Sequence, residues 1–167
     1  MATACTSGVC GIGTCVAGWV NVDGTYADGC ECQDDAYGKT CATVTSEGTV
    51  SLGQSINFSG VLPVAGEENW FEITFPDYNT ATFHAVISIA GAGFLFNVYD
   101  PTCASTALAC ADGGSSTART VWEVSETDTN SPIDTFPAVG TAGVVYVEVY
   151  RGTGAPTCTS YTLTISD

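Results

Sequence analysis

Apolar and polar residues alternate along most of the chain beyond residue 48, with a period of two rather than 3.6. In Asn69–Phe75, Phe71, Ile73 and Phe75 share one face, and Glu72 and Thr74 take the other. Between Thr80 and Ala90 the inward set is Ala81, Phe83, Ala85, Ile87 and Ile89. Phe94, Phe96 and Val98 repeat the pattern after the break at Gly91-Ala-Gly93. Val145, Val147 and Val149 follow, and Tyr161, Leu163 and Ile165 close the chain. Gln54–Leu62 and Thr120–Val124 read as further strands.

Gly, Pro, Asn and Asp separate these runs, as in Pro76-Asp-Tyr-Asn79. The polar stretch Ser125–Asp134 predicts an exposed loop, and Ala104–Ala111 a loop or a single turn. Roughly seven or eight short strands at regular spacing predict an all-β protein built as an antiparallel β-sandwich. No helices are available for parallel βαβ crossovers.

Residues 1–42 differ in kind from residues 43–167. Six of the nine cysteines lie there, at Cys5, Cys10, Cys15, Cys30, Cys32 and Cys41. No paired C-x2-C knuckle suggests zinc, so the spacing predicts a small disulfide-rich module. A segment of about 40 residues buries too little apolar surface to hold itself together without such bridges. Farther on, Cys103 and Cys110 bracket six residues, and a local bridge between them is the simplest pairing. Cys158 then remains as a free thiol or an intermolecular partner; the alternative joins it to Cys103 or Cys110.

The cysteine content implies an oxidising compartment, at the cell surface or outside the cell. Met1-Ala-Thr-Ala4 has neither a basic n-region nor an apolar h-region, so the expectation is a mature chain with its signal peptide absent. No apolar run is long enough to span a membrane. Lys and Arg total 3 against 18 Asp and Glu, a formal net charge of −15. Such a surface repels phosphate backbones and anionic lipid, which sets nucleic acid aside as a partner.

Nucleophilic catalysis needs a histidine beside a nucleophile. The one histidine, His84, falls on the solvent side of its strand by alternation. No motif singles out two opposed carboxylates among the 18 acids. The chain is therefore read as not an enzyme. Calcium is the possible cofactor, since it takes converging oxygen ligands from loops. The candidate ligands are Glu67, Glu68 and Asn69 at one strand start, with Asp100 and Asp112 after another strand. Tyr99, Trp122, Tyr146 and Tyr150 are the candidate binding aromatics of an outer face, suited to sugar rings or a protein partner.

Three pieces of the first segment carry a family likeness: Cys10-Gly-Ile-Gly-Thr-Cys15-Val16, Cys30-Glu-Cys32 and Tyr37-Gly-Lys-Thr-Cys41. In order and spacing they resemble an EGF-like domain. That resemblance implies the pairs Cys5–Cys15, Cys10–Cys30 and Cys32–Cys41. The stretch from Cys15 to Glu31 also resembles short cysteine-rich repeats of myxobacterial cell-surface proteins.

Residues 48–167 resemble the bacterial pre-peptidase C-terminal domain, a jelly-roll-like β-sandwich. The resemblance rests on Phe58-Ser-Gly-Val-Leu62, Glu68-Asn-Trp-Phe-Glu-Ile-Thr-Phe75, Phe94-Leu-Phe-Asn-Val-Tyr-Asp100, Val145-Tyr-Val-Glu-Val-Tyr150 and Tyr161–Ser166. It implies a non-catalytic accessory module of secreted proteins. The expected role is adhesion or recognition at a bacterial cell surface or in extracellular matrix, with a protein or glycan ligand. The alternative is a self-associating structural subunit of an extracellular filament or surface layer, whose partners are copies of itself.

Overall fold

Residues 2–6, 9–25, 29–76, 83–100, 102–108, 117–125, 143–152 and 154–167 are described by a computed structural model. The N-terminal segment holds two small ribbons. Strands β1 (Ala2–Thr6) and β2 (Val9–Thr14) form an antiparallel hairpin with Cys5 opposite Cys10. Strands β3 (Trp19–Val20) and β4 (Cys32–Gln33) pair antiparallel. A single 3-10 turn, Cys41–Thr43, leads into the larger body. No α-helix occurs among the described residues.

The body is a sandwich of two four-stranded sheets. Its strands are β5 (Thr45–Thr49), β6 (Ser55–Val61), β7 (Glu68–Phe75), β8 (His84–Ala90), β9 (Phe94–Tyr99), β10 (Val121–Ser125), β11 (Gly143–Arg151) and β12 (Ser160–Ser166). One sheet has the order β10-β8-β12-β6 and the other β5-β7-β11-β9. All pairs are antiparallel except β5 with β7, which run parallel. The crossover that a parallel pair requires is made by β6 in the facing sheet, not by a helix.

The alternation places the core where the pattern expects it. Phe71, Ile73, Phe75, Phe96, Val98, Val147, Val149, Leu163 and Ile165 are fully buried in one cluster between the sheets. Val145 and Phe94 join them at 1% exposure. Phe83, Ala85 and Ile87 face inward and His84 outward, as alternation requires. Burial of this much aliphatic and aromatic surface is the main favourable term in folding. The residues expected at Asp77–Thr82, Ala109–Asp112 and most of the 125–134 loop lie outside the described set.

The disulfides differ from the expected ones. Cys15 bridges Cys30, and Cys41 bridges Cys103, with Cα atoms 5.9 and 5.6 Å apart. The first bridge excludes Cys5–Cys15 and Cys10–Cys30. The second excludes Cys32–Cys41 and the local Cys103–Cys110 loop; Cys110 itself lies outside the described residues. The cause is that the chain around residue 41 is docked on the sandwich, within reach of the turn after β9.

That docking extends over residues 34–41. Gly38 pairs with Trp70 as an isolated bridge, and the Trp70 N–H donates to the Gly38 carbonyl at 2.8 Å. Tyr37 packs edge-on against Phe71 at 4.9 Å and tilts against Phe58 at 6.1 Å. A polar knot completes the contact. Asp35 Oδ2 accepts from the Val61 N–H at 2.7 Å and from Asn69 Nδ2 at 2.8 Å. Asn69, fully buried, also donates to the Tyr161 hydroxyl at 2.7 Å. Gly60 leaves the room: a Cβ there would meet the Tyr161 hydroxyl and, at 2.6 Å, Asp35 Oδ2.

Candidate recognition site

Outward residues of β7, β11 and β9 form a grid set by strand register. Glu72, Tyr146 and Tyr99 make one row. Trp70, Glu148 and Asn97 make the next, and Glu68, Tyr150 and Leu95 the third. Alternation dictates this face, because each of these residues is one position removed from a buried, inward-facing residue. Aromatic rings and carboxylates thus interleave on one side of one sheet.

Side-chain hydrogen bonds stiffen the grid. The Tyr99 hydroxyl donates to Glu148 Oε2 at 2.5 Å, and Asn97 Nδ2 donates to the same oxygen at 2.7 Å. The Trp70 ring stacks on Tyr99 with centroids 5.3 Å apart, and its Nε1 donates to Glu68 Oε2 at 2.9 Å. Trp70 is 6% exposed, whereas Tyr146 and Tyr150 are half-buried, with part of each ring open to solvent. Ala118 borders the face in a left-handed conformation, φ 60°. Its N–H donates to Asn97 Oδ1 at 2.9 Å, and its backbone hydrogen-bonds Tyr150. Backbone strain of this kind persists only where neighbours hold it.

Burial and the adjoining carboxylates keep these phenols protonated. Burial, then the Glu148 hydrogen bond, pushes Tyr99 up to about 12. Tyr146 rises through burial and Glu72, and Tyr150 through burial and Glu148. Each phenol therefore remains a hydrogen-bond donor well into alkaline solution.

Glu68 joins this face to a cleft of about 400 Å³ lined by Asp34, Lys39, Gly66, Glu67 and Glu68. Lys39 Nζ donates to Asp34 Oδ1, Asp35 Oδ1 and Asn69 Oδ1 at 2.8, 2.9 and 2.9 Å. Burial works against its charge, and the two aspartates outweigh burial, so the ammonium is held above its ordinary range. The other two cations of the chain are also turned inward. Arg119 and Arg151 are each 7% exposed. Arg151 donates to the carbonyls of Leu62, Pro63 and Ala155. The surface charge is consequently carried almost wholly by carboxylates.

Among the described residues the calcium candidates do not gather in one place. Glu67 and Glu68 adjoin the cleft, but Glu67 Oε2 accepts from the Val64 N–H and Glu68 Oε2 from Trp70. Asn69 points into the polar knot, with its amide engaged by Lys39, Asp35 and Tyr161. Asp100 stands at the other end of the sheet. Leu95 shares a row with Glu68, and Asp100 lies five residues beyond it, about 17 Å along the strand. β7 and β9 both run antiparallel to β11, so the start of one and the end of the other cannot meet. Asp112 lies outside the described residues. Among the described residues no three His, Cys, Asp or Glu side chains converge to hold a metal ion.

The aromatic candidates divide. Tyr99, Tyr146 and Tyr150 share the outer face, and Trp122 does not belong with them. It is 1% exposed, paired with Ile87 and packed in the core, while Val121 takes the outward position. Glu123 shares the outward face with Val121, so alternation itself puts Trp122 and Val124 on the inward, wholly apolar face, and the expectation for Trp122 ran against it. Sequence reasoning also missed Asp34, Asp35, Lys39, Asn97 and Glu148. The single lysine in so acidic a chain was the one signal available for the cleft.

His84 lies on the opposite sheet, where its Nε2 is 2.6 Å from Glu123 Oε1 in an exposed pair. It is remote in the fold from the aromatic grid. No helix among the described residues is long and apolar enough to cross a membrane. No protein-family model matches this sequence, and no curated protein matches it.

Proposed function

We propose that this chain is a non-enzymatic recognition module, exported to a bacterial cell surface or extracellular matrix. It binds a polyhydroxylated ligand, a glycan, on the outer face of the β5-β7-β11-β9 sheet. The interleaving of Tyr146 and Tyr150 with Glu72, Glu148 and Glu68 carries this reading. Partly exposed tyrosines stack on sugar rings, and adjoining carboxylates accept from sugar hydroxyls. The grid is held before any ligand arrives, which lowers the entropic cost of binding. The Cys15–Cys30 and Cys41–Cys103 bridges suit an oxidising compartment. The likeness of residues 48–167 to the pre-peptidase C-terminal domain, and of the stretch from Cys15 to Glu31 to myxobacterial cysteine-rich repeats, points the same way.

A glycan array probed with the full chain tests this. The expected result is selective retention that weakens about tenfold or more in Tyr146→Ala and in Tyr150→Ala, while His84→Ala binds as wild type. Equal retention by wild type and the double tyrosine variant would remove the assignment. Half-exposed Val121 on the edge strand β10 is the feature that favours self-assembly instead. Concentration-dependent sedimentation abolished by Val121→Lys would support that alternative.

A further inference from the structure

Cys32 and Cys158 are the two free cysteines of the described residues, and they face each other across the contact between the β3–β4 ribbon and the start of β12. Cys32 Sγ donates to the Thr157 carbonyl at 3.9 Å, which sets it beside Cys158, the next residue. Both sides are fixed by backbone bonds. Pairing with Val20 and the Asp34 N–H bond to the Gly18 carbonyl, 2.9 Å, hold Cys32. On the other side the Thr157 N–H donates to the Pro63 carbonyl at 3.0 Å, and Arg151 clamps the Ala155 carbonyl. Cys32 is 2% exposed, so no second molecule reaches it; Cys158 is exposed.

We propose that Cys32 and Cys158 are the two halves of a further disulfide, closed within one chain by a small-molecule disulfide oxidant, and that Cys158 is not an intermolecular cysteine. The order follows from exposure. The Cys158 thiolate attacks one sulfur of glutathione disulfide; a Cys158–glutathione bond forms, the oxidant's S–S bond breaks and one glutathione thiolate leaves. The Cys32 thiolate then attacks Cys158 Sγ, forming the protein bridge and expelling the second glutathione thiolate. Two protein thiols lose two electrons and two protons, and one glutathione disulfide becomes two glutathione thiols.

The second step is the slow one. Burial, the chief cause that raises the Cys32 thiol, persists in the mixed disulfide, so its thiolate is scarce at neutral pH. The bridge also fixes one wall of the cleft, because Asp34 lies two residues beyond Cys32. Together with Cys41–Cys103 it would fasten the N-terminal segment to the sandwich at two points.

The test uses the full chain, incubated with glutathione disulfide, acid-quenched, alkylated and digested without reductant. The expected product is a peptide pair joined through Cys32 and Cys158, in a monomer, beside intact Cys15–Cys30. Its rate of formation rises about tenfold per pH unit between pH 7 and 9. Cys158→Ser leaves Cys32 alkylated only after unfolding, and melts about 5–15 °C below the oxidised wild type. Treating Cys158→Ser with oxidant has no effect on its own midpoint. Persistent glutathione on Cys158, a Cys158-linked dimer, or both thiols alkylated after full oxidation would overturn the proposal. None of these outcomes depends on whether a glycan binds.

Discussion

Replacing Asp35 by Ala removes the centre of the knot that ties the N-terminal segment to the sandwich. The carboxylate is 13% exposed and accepts from Lys39, the Val61 N–H, Asn69 Nδ2 and, at 3.3 Å, the Tyr37 N–H. Lys39 retains Asp34 and Asn69 Oδ1 after the change. The Val61 N–H and one Asn69 N–H lose their partners, and the Tyr37 N–H loses a longer, weaker bond. Each buried orphan costs about 1–3 kcal/mol. Access of water at the rim lowers the total, so the expected loss is about 2–4 kcal/mol.

Asp34→Ala is the matched control. Its carboxylate, 21% exposed, makes one ion pair with Lys39 and a local bond to the Asp35 N–H. A loss of about 1 kcal/mol or less is expected there. The assay is urea unfolding at pH 7 with disulfides intact, followed by the fluorescence of Trp122, buried between the sheets, and of Trp70, covered on the outer face. The slope with urea should be unchanged and the midpoint should fall. An Asp35→Ala midpoint within about 1 kcal/mol of wild type, or an equal cost for Asp34→Ala, would refute the reasoning.

Removing Cys41 and Cys103 together by Ser substitution should cost about 2–4 kcal/mol, read as a lower urea midpoint, because the bridge closes a separation of 62 residues. Gly60→Ala should cost more than about 2 kcal/mol in thermal unfolding, since its methyl would land against Tyr161 and Asp35. Tyr99 is raised to about 12 and Tyr161 further still, both chiefly by burial. The native state therefore keeps phenolic protons that the unfolded chain releases above about pH 10, so stability is full below pH 10 and falls from 10 to 12. Phenolate absorbance at 295 nm should show these two tyrosines ionising only as the fold is lost. Burial raises Asp100 to about 6, so native stability falls as pH climbs from about 4 to 6. Asp100→Asn should thus raise the midpoint at pH 7 and leave it unchanged at pH 3.

The period-two pattern was enough to name the core. A strand has only two faces, and Phe71, Ile73, Val147, Leu163 and Ile165 each fall on the apolar one of their own segment. That is local information, carried by every window of a few residues. It also placed Tyr99, Tyr146 and Tyr150 opposite the core, and His84 in solvent.

Partnership between distant segments was not local, and only the folded chain decided it. Six cysteines in the first segment allow many pairings, and the bridge from Cys41 runs to Cys103 because residues 34–41 dock on β7. Glu68 and Asp100 both flank strand ends, yet the shared direction of β7 and β9 puts them at opposite ends of the sheet. Alternation says which side of a strand a residue occupies. Hydrogen-bond register and strand direction, set by how all the apolar faces close together, say what it stands beside.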